Sequence, residues 1–387
     1  MRLVKQSRQQ KAAFQYLLNC GRRNARKLIS LVSCLTLAVA GLSGCGFNTE
    51  AGSYLSQEAD ANTLNVMIWD SDLSETTVQE FESQFNCKVN VTYLEDTNEM
   101  LQKLIAGGAD YDVLDVESDY VRAFKEADLL APLDYGVITN TGNLDPTFFT
   151  PGKGAIGDEN FEYSIPLAGP FFTCVVYNKN TCPGEIDTLE DLAKSEFKGE
   201  VCSVKDSVSV YIGGLIALGY PLDSTDDDEL AECQEMWQKI YPNVKSFVSS
   251  SAVSQLETGE CSVAYCWDFN TICADSEKYW DEFDVAPATG MGYTQDWCIA
   301  KSSRRQELAN EFINFTMSPE QQANLINDFG GITTVKKELI EDLLPEYYYE
   351  NPCVIRYTEM WKDHQEFAVT DEQNDKMDDL YNELMSQ

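Results

Sequence analysis

Carboxylates, most with an aromatic ring close by, recur at five places in this chain, each beside a short apolar run. They read Trp69-Asp70-Ser71-Asp72, Glu117-Ser118-Asp119-Tyr120, Lys205-Asp206-Ser207, Trp267-Asp268-Phe269 and Tyr293-Thr294-Gln295-Asp296. An ammonium group donates charge-assisted hydrogen bonds to carboxylates. The faces of Trp and Tyr hold methylene chains and cations, worth about 0.5–2 kcal/mol per contact. Together these residue types make a pocket for an organic cation. The same aspartates are also the residues that cap helices following strands.

Other chemistry is poorly served. A single histidine, His364, leaves no His-rich metal centre and no Ser-His-Asp triad. Paired carboxylates such as Asp70 and Asp296 could act as acid and base in a surface-tethered hydrolase. Acids spread over both halves of the chain suit a clamp better than a local acid/base pair. Asp70-x-Asp72 with Glu75 lacks the glycine and spacing of a calcium loop and reads as helix entry. Asp226-Asp227-Asp228-Glu229 is a helix N-terminus favoured by the dipole. Tyr347-Tyr348-Tyr349 reads as an exposed aromatic segment before Pro352, not a tyrosinate iron site, and His364, between Trp361 and Phe367, as a helix-surface residue. With no phosphate-binding glycine loop, neither cofactor, metal nor catalytic residue is expected.

The elements that must position these residues alternate between strand and helix. Leu64–Trp69 is an apolar strand, and Ser74 caps a helix on which Val78, Phe81 and Phe85 recur at helical spacing. Lys88–Tyr93 alternates as a strand, the helix from Asn98 closes at Gly107-Gly108, and Asp112–Val116 is a third strand. Two such crossovers argue for a parallel sheet covered on both faces, with ligands taken beyond the carboxyl ends of its strands. Later strands are expected at Phe172–Tyr177, Glu200–Val204, Ser262–Cys266, Asp284–Ala286 and Trp297–Ala300. Later helices are expected at Val208–Leu218, Asp228–Ile240, Val253–Glu257, Arg304–Met317, Pro319–Asp328 and Glu372–Met385. The fold class is α/β in two lobes.

The chain has 387 residues and a formal charge of −36, unevenly spread. Residues 1–44 hold eight basic and no acidic residues, so the remainder carries 20 basic against 64 acidic, a formal −44. A surface so negative repels phosphate backbones and attracts cations, so nucleic acid is not a partner. Arg22, Arg23, Arg26 and Lys27 precede a 15-residue mostly apolar run, Leu28–Leu42, too short to span a bilayer and long enough for a signal segment. Leu42-Ser43-Gly44-Cys45 then looks like a bacterial lipobox. This predicts a signal peptide over 1–44, acylation of Cys45 and a polar tether over 45–62. Ten cysteines remain beyond Cys45, an even number compatible with disulfides or with small buried thiols.

Along nearly the whole mature chain the sequence resembles the bacterial spermidine/putrescine-binding proteins, the substrate-binding components of polyamine ABC transporters. The likeness lies in Leu64–Trp69, Asn98-Glu99-Met100 with Leu101–Gly108, Tyr111-Asp112-Val113, Leu129–Asp134 and Asn143-Leu144-Asp145-Pro146. It continues through Tyr163-Ser164-Ile165-Pro166, Leu218-Gly219-Tyr220, Pro242-Asn243-Val244 and Phe312-Ile313-Asn314-Phe315. The resemblance implies a type II periplasmic-binding-protein fold: two α/β lobes joined by two crossing strands, with the ligand in the cleft. It places lobe 1 at 63–170 plus 290–335 and lobe 2 at 171–289 plus 336–387.

Carried over residue by residue, the family's ligand positions match Trp69, Asp206, Trp267 and Asp296. The chain departs at Ser209, where a glutamate is expected, at Gly331, where a tyrosine is expected, and at Thr294, where a tryptophan is expected. Asp70, Asp72, Glu117 and Asp119 stand where the family has hydroxyl, aromatic or small residues. With Asp268 added, the expected ligand residues are Trp69, Asp70, Asp72, Glu117, Asp119, Asp206, Trp267, Asp268 and Asp296. The expected function is capture of a small cationic solute, a polyamine, by hinge closure and delivery to an ABC permease, without catalysis. A carbohydrate, a ferric ion or another polar solute is the alternative ligand. The protein is expected to be a monomer, extracytoplasmic, in the periplasm or on the outer face of the cytoplasmic membrane, and held to the bilayer through Cys45.

Overall fold

Residues that alternate apolar and polar in the sequence become strands, and these line up into one mixed sheet. The structure, a computed structural model, describes residues 62–94, 97–107, 110–248, 252–267, 279–286, 290–364 and 367–386. Its strands are β1 (Thr63–Ile68), β2 (Lys88–Tyr93), β3 (Val113–Glu117), β4 (Leu130–Ala131), β5 (Ser164–Asn178), β6 (Val201–Val204), β7 (Val244–Val248), β8 (Val263–Cys266), β9 (Phe283–Val285) and β10 (Met291–Ala300). Its helices are α1 (Glu75–Phe85), α2 (Thr97–Ala106), α3 (Val121–Glu126), α4 (Ser207–Leu218), α5 (Asp227–Ile240), α6 (Val253–Glu257), α7 (Gln306–Thr316), α8 (Pro319–Phe329), α9 (Lys337–Ile340), α10 (Pro352–Asp363) and α11 (Asp371–Met385). The strand order is β2-β1-β3-β10-β5-β8-β6-β7, with β4 on β10 and β9 on β5.

The sheet is not the purely parallel one expected from the first two crossovers. β1 pairs in parallel with β2 and β3, and β6 with β7 and β8, but β10 runs antiparallel to both β3 and β5, and β5 to β8. Two long strands explain the mixture. β5 is 15 residues long, contributing Ile165 and Leu167 to one apolar cluster and Phe172, Val175 and Val176 to another. β10 does the same with Trp297 and Ile299 on one side and Met291 on the other. Their pairing is irregular between Tyr293, Gln295 and Asp296, a bulge that re-aims side chains where the two cores meet.

On the first half of the sheet, Val66, Ile68, Val113, Trp297 and Phe312 pack on one face and Met67, Leu114, Val116, Phe124 and Cys298 on the other. On the second half, Val201, Val204, Tyr211, Trp237, Tyr265 and Tyr357 share one core. α4 is buried along most of its length, so both Gly213 and Gly214 face close neighbours. A Cβ on Gly213 would sit 2.1 Å from the Tyr265 hydroxyl, which only glycine permits. β7 and the first half of β5 have no counterpart among the expected elements, and α10 ends at Asp363, so His364 stands just past the helix with extended backbone and not on a helix surface. Tyr348 corrects another expectation: it is 2% exposed, its hydroxyl donating to the Gly331 carbonyl at 2.9 Å, so the tyrosine run is not an exposed segment. No described helix is long and apolar enough to cross a membrane. Cys45, the signal peptide and most of the tether lie outside the described residues, as do Cys273 and Asp268.

Candidate functional site

The loop after β1 turns at Trp69, whose carbonyl accepts from the Asp72 N–H at 3.2 Å, and Ser74 then caps α1 by accepting from the Thr76 N–H. This turn carries Asp72 inward, 6% exposed, and leaves Asp70 at the surface. Asp72 faces Asp115, a fully buried carboxylate on β3 whose Oδ2 accepts from the Trp69 N–H at 3.3 Å. Burial pushes Asp72 up to about 7, Glu117 and Asp70 adding repulsion against the opposing bond to Asp115. Burial, then the charge of Asp72, holds Asp115 well above the usual carboxylate range. At the end of β3 stands half-buried Glu117, which accepts from the Thr97 hydroxyl at 2.7 Å, and just past the strand half-buried Asp119.

Across the bulge on β10, Tyr293 stacks on Phe171 with ring centroids 5.9 Å apart. Its phenol is driven well above the ordinary tyrosine value by burial, then by the negative charge of Glu117, Asp119, Asp72 and Asp206. Four of the expected acids therefore act electrostatically on one phenol. Asp72 comes from the loop after β1, Glu117 from the end of β3, Asp119 from the loop that follows, and Asp206 from the other core, at the N-terminus of α4.

Asp206 is the N-cap of α4, accepting from the Ser209 N–H at 2.6 Å. Ser209 is also tied to both aromatic residues of β8 and its exit. Its carbonyl accepts from the Tyr265 hydroxyl at 2.5 Å, and its Oγ accepts from the Trp267 indole N–H at 2.7 Å. The departure from glutamate at this position thus holds the ring of Trp267, which is partly exposed.

Asp296 is 1% exposed and accepts from the Thr294 hydroxyl at 2.7 Å. By strand alternation it shares a face of β10 with Thr294 and Cys298, whereas Tyr293 and Gln295 face the other way. Trp69 packs against the cluster that includes Cys298, alongside Tyr120 and Tyr163. The expected residues therefore fall on two sides of β10: Asp72, Glu117, Asp119 and Asp206 act on the Tyr293 phenol, while Asp296 lies on the other face of the strand, the one whose Cys298 belongs to the cluster that Trp69 packs against.

Three residues escaped the sequence reading of the site. Tyr293 and Gln295 were quoted only as neighbours of Asp296. Asp115 was signalled by its place in the otherwise apolar run Val113-Leu114-Asp115-Val116, where a buried carboxylate is costly. Two cavities lie elsewhere: a groove of ≈ 870 Å³ whose lining includes Glu80, Phe85, Glu311 and Phe315, and a smaller one of ≈ 360 Å³ whose lining includes Lys125 and Tyr163. Of the other candidates, His364 stacks on Trp361 at 3.4 Å, Asp226 caps α5, and the nine described cysteines are free thiols.

The family model described as bacterial extracellular solute-binding protein matches residues 76–347. The chain is 29% identical over 293 residues to the putrescine/cadaverine-binding protein of Pseudomonas aeruginosa, covering 71% of this chain and 80% of that protein. It is 24% identical over 273 residues to the spermidine/putrescine-binding periplasmic protein of Escherichia coli, covering 70% and 77%. Among solved structures it is similar to the spermidine/putrescine ABC transporter substrate-binding protein PotD from Streptococcus pneumoniae, with TM-score 0.71 and 23% identity over 84% of this chain and 99% of that one. The likeness of structure fixes the fold as the two-lobed α/β arrangement of solute-binding proteins.

Proposed function

The chain belongs to the bacterial extracellular solute-binding proteins, and from this premise we propose that it captures a small organic cation, a polyamine of the spermidine or putrescine kind, and hands it to an ABC permease. It is a binding protein and not an enzyme. The observation that carries the reading is the set of carboxylates around Tyr293, drawn from Glu117, Asp119 and Asp72 on one side and Asp206 on the other. Acids contributed by both cores are what a clamp on a cation needs, because closure then adds contacts that the open state lacks. Trp69 and Trp267 supply apolar faces for the methylenes, and Asp206 and Asp296 accept from ammonium groups. The names of the similar proteins support a polyamine over a carbohydrate or a ferric ion.

The lobes are divided at 63–170 plus 290–335 and 171–289 plus 336–387, with β5 and β10 as the crossing strands. Residues 1–44 are removed, Cys45 is acylated, and the mature monomer works extracytoplasmically from a lipid anchor. Calorimetric titration of residues 46–387 with spermidine, putrescine and cadaverine tests the ligand. A saturable heat with one amine per chain is expected. Failure of all three to bind, with a sugar or ferric ion binding instead, overturns the polyamine assignment.

A further inference from the structure

Two hydrogen-bond acceptors remain unanswered on one side of β10. Asp115 Oδ1 and Gln295 Oε1, on side chains only 0% and 5% exposed, are both buried and no N–H or hydroxyl donor reaches them, the Asp72 carboxyl being the neighbour of Asp115. In the β3–β10 ladder Trp297 stands opposite Asp115 and Gln295 opposite Glu117, so by alternation Asp115, Glu117 and Gln295 lie on one face of the sheet. Asp72 closes over Asp115 from the loop after β1. Buried acceptors are costly to leave unmade, and an ammonium group brings three donors and a positive charge.

We infer that Asp115 and Gln295, together with Asp72, form an inner subsite for one ammonium end of the ligand, a site that depends on the polyamine reading for its occupant. Neither Asp115 nor Gln295 is among the positions to which the family resemblance assigns ligand contacts. The subsite has a consequence in protons. The charged groups facing the pair are Asp70, beside Asp72 in the loop, Glu117 on β3, and the Tyr293 phenol on β10, with the Cys298 thiol also within reach of Asp115. All are acidic groups. In the empty protein burial and mutual repulsion keep a proton on the pair near neutral pH. An arriving ammonium supplies the positive charge that the proton supplied, so the proton leaves to solvent as the ligand binds. Affinity therefore rises with pH, as long as the amine itself stays protonated.

Spermidine is the probe, titrated calorimetrically into residues 46–387 at pH 6 and pH 8, in two buffers of different ionisation enthalpy. The wild type should bind more tightly at pH 8 and release close to one proton at neutral pH. Asp115→Asn should weaken binding about tenfold or more and abolish most of the proton release. Gln295→Met, which keeps the shape and removes the acceptor, should weaken binding severalfold while leaving proton release intact. That second variant carries the test if Asp115→Asn does not fold. Wild-type heats independent of buffer, or variants that bind spermidine as the wild type does, overturn the subsite while leaving the polyamine reading in place. A wild type that binds no amine overturns both.

Discussion

At the scale of single residues, formal charge is a poor guide to which acid matters. Asp296 is buried against Thr294, while Asp223 is exposed at the mouth of α5. Losing one partner of a buried charged hydrogen bond costs about 2–5 kcal/mol, whereas a screened surface charge is worth less than about 0.5 kcal/mol. Asp296→Asn should therefore weaken polyamine binding far more than Asp223→Asn in parallel titrations; equal losses would mean diffuse attraction and no defined pocket. Asp227 would be a worse control, because it pairs with Lys376 at 2.7 Å. Trp267→Ala should cost about 2–4 kcal/mol of affinity through lost apolar burial and cation–π attraction. Asp72 makes a different prediction, on stability. Its folded value is raised to about 7 against an unfolded value of about 4. Between these values the folded chain binds more protons than the unfolded one, so this group's contribution is fully present in acid and is lost as pH rises towards 7. Thermal melts of the ligand-free protein should show Asp72→Asn gaining stability over the wild type at pH 8 relative to pH 5, by a few kcal/mol. A variant with the wild-type pH profile would count against the shared proton.

At the scale of elements, one aspartate has two duties. Asp206 caps α4 and also contributes charge to the ring of acids around Tyr293. Asparagine caps nearly as well as aspartate, and alanine does not, at a cost of about 1 kcal/mol. Asp206→Asn should thus keep the melting temperature while weakening the ligand, and Asp206→Ala should lose both. If the two variants melt alike, the cap contributes nothing to stability. The same helix shows how the second lobe aims its aromatic ring. Gly213 admits the Tyr265 hydroxyl to the Ser209 carbonyl, and Ser209 then holds the Trp267 indole. Where the resemblance implies a glutamate, Ser209 instead accepts from the Trp267 indole N–H.

At the scale of the molecule, the excess of 64 acidic over 28 basic residues acts on encounter more than on the bound state. Long-range attraction of a cation is screened beyond roughly 8 Å at physiological salt, while contacts in a closed, dry cleft are screened much less. Stopped-flow binding should therefore show an association rate that falls steeply between low salt and about 0.5 M, with a much smaller change in dissociation rate. Dissociation that accelerates as much as association slows would mean that the acids stay solvated in the complex.

The sequence by itself determined the elements with strong local signals. Ser74, Asp206 and Asp226 cap the helices they were expected to open, and Lys88–Tyr93 is a strand over that span. Side-chain period and capping chemistry act within a few residues, so they are legible without a fold. The resemblance added the two-lobed plan, the two crossing strands and Asp206, whereas Asp72, Glu117 and Asp119 follow from their places just beyond apolar runs. What the sequence could not supply was strand direction and proximity. Only tertiary pairing makes β10 antiparallel to β3, setting Gln295 opposite Glu117 and leaving Tyr293 and Asp296 on opposite faces. Asp115 looked like part of a strand core, and only the loop that folds Asp72 onto it turns two separate aspartates into a proton-holding pair. Burial and mutual repulsion exist only once segments about 45 residues apart are brought together, and no local pattern encodes them.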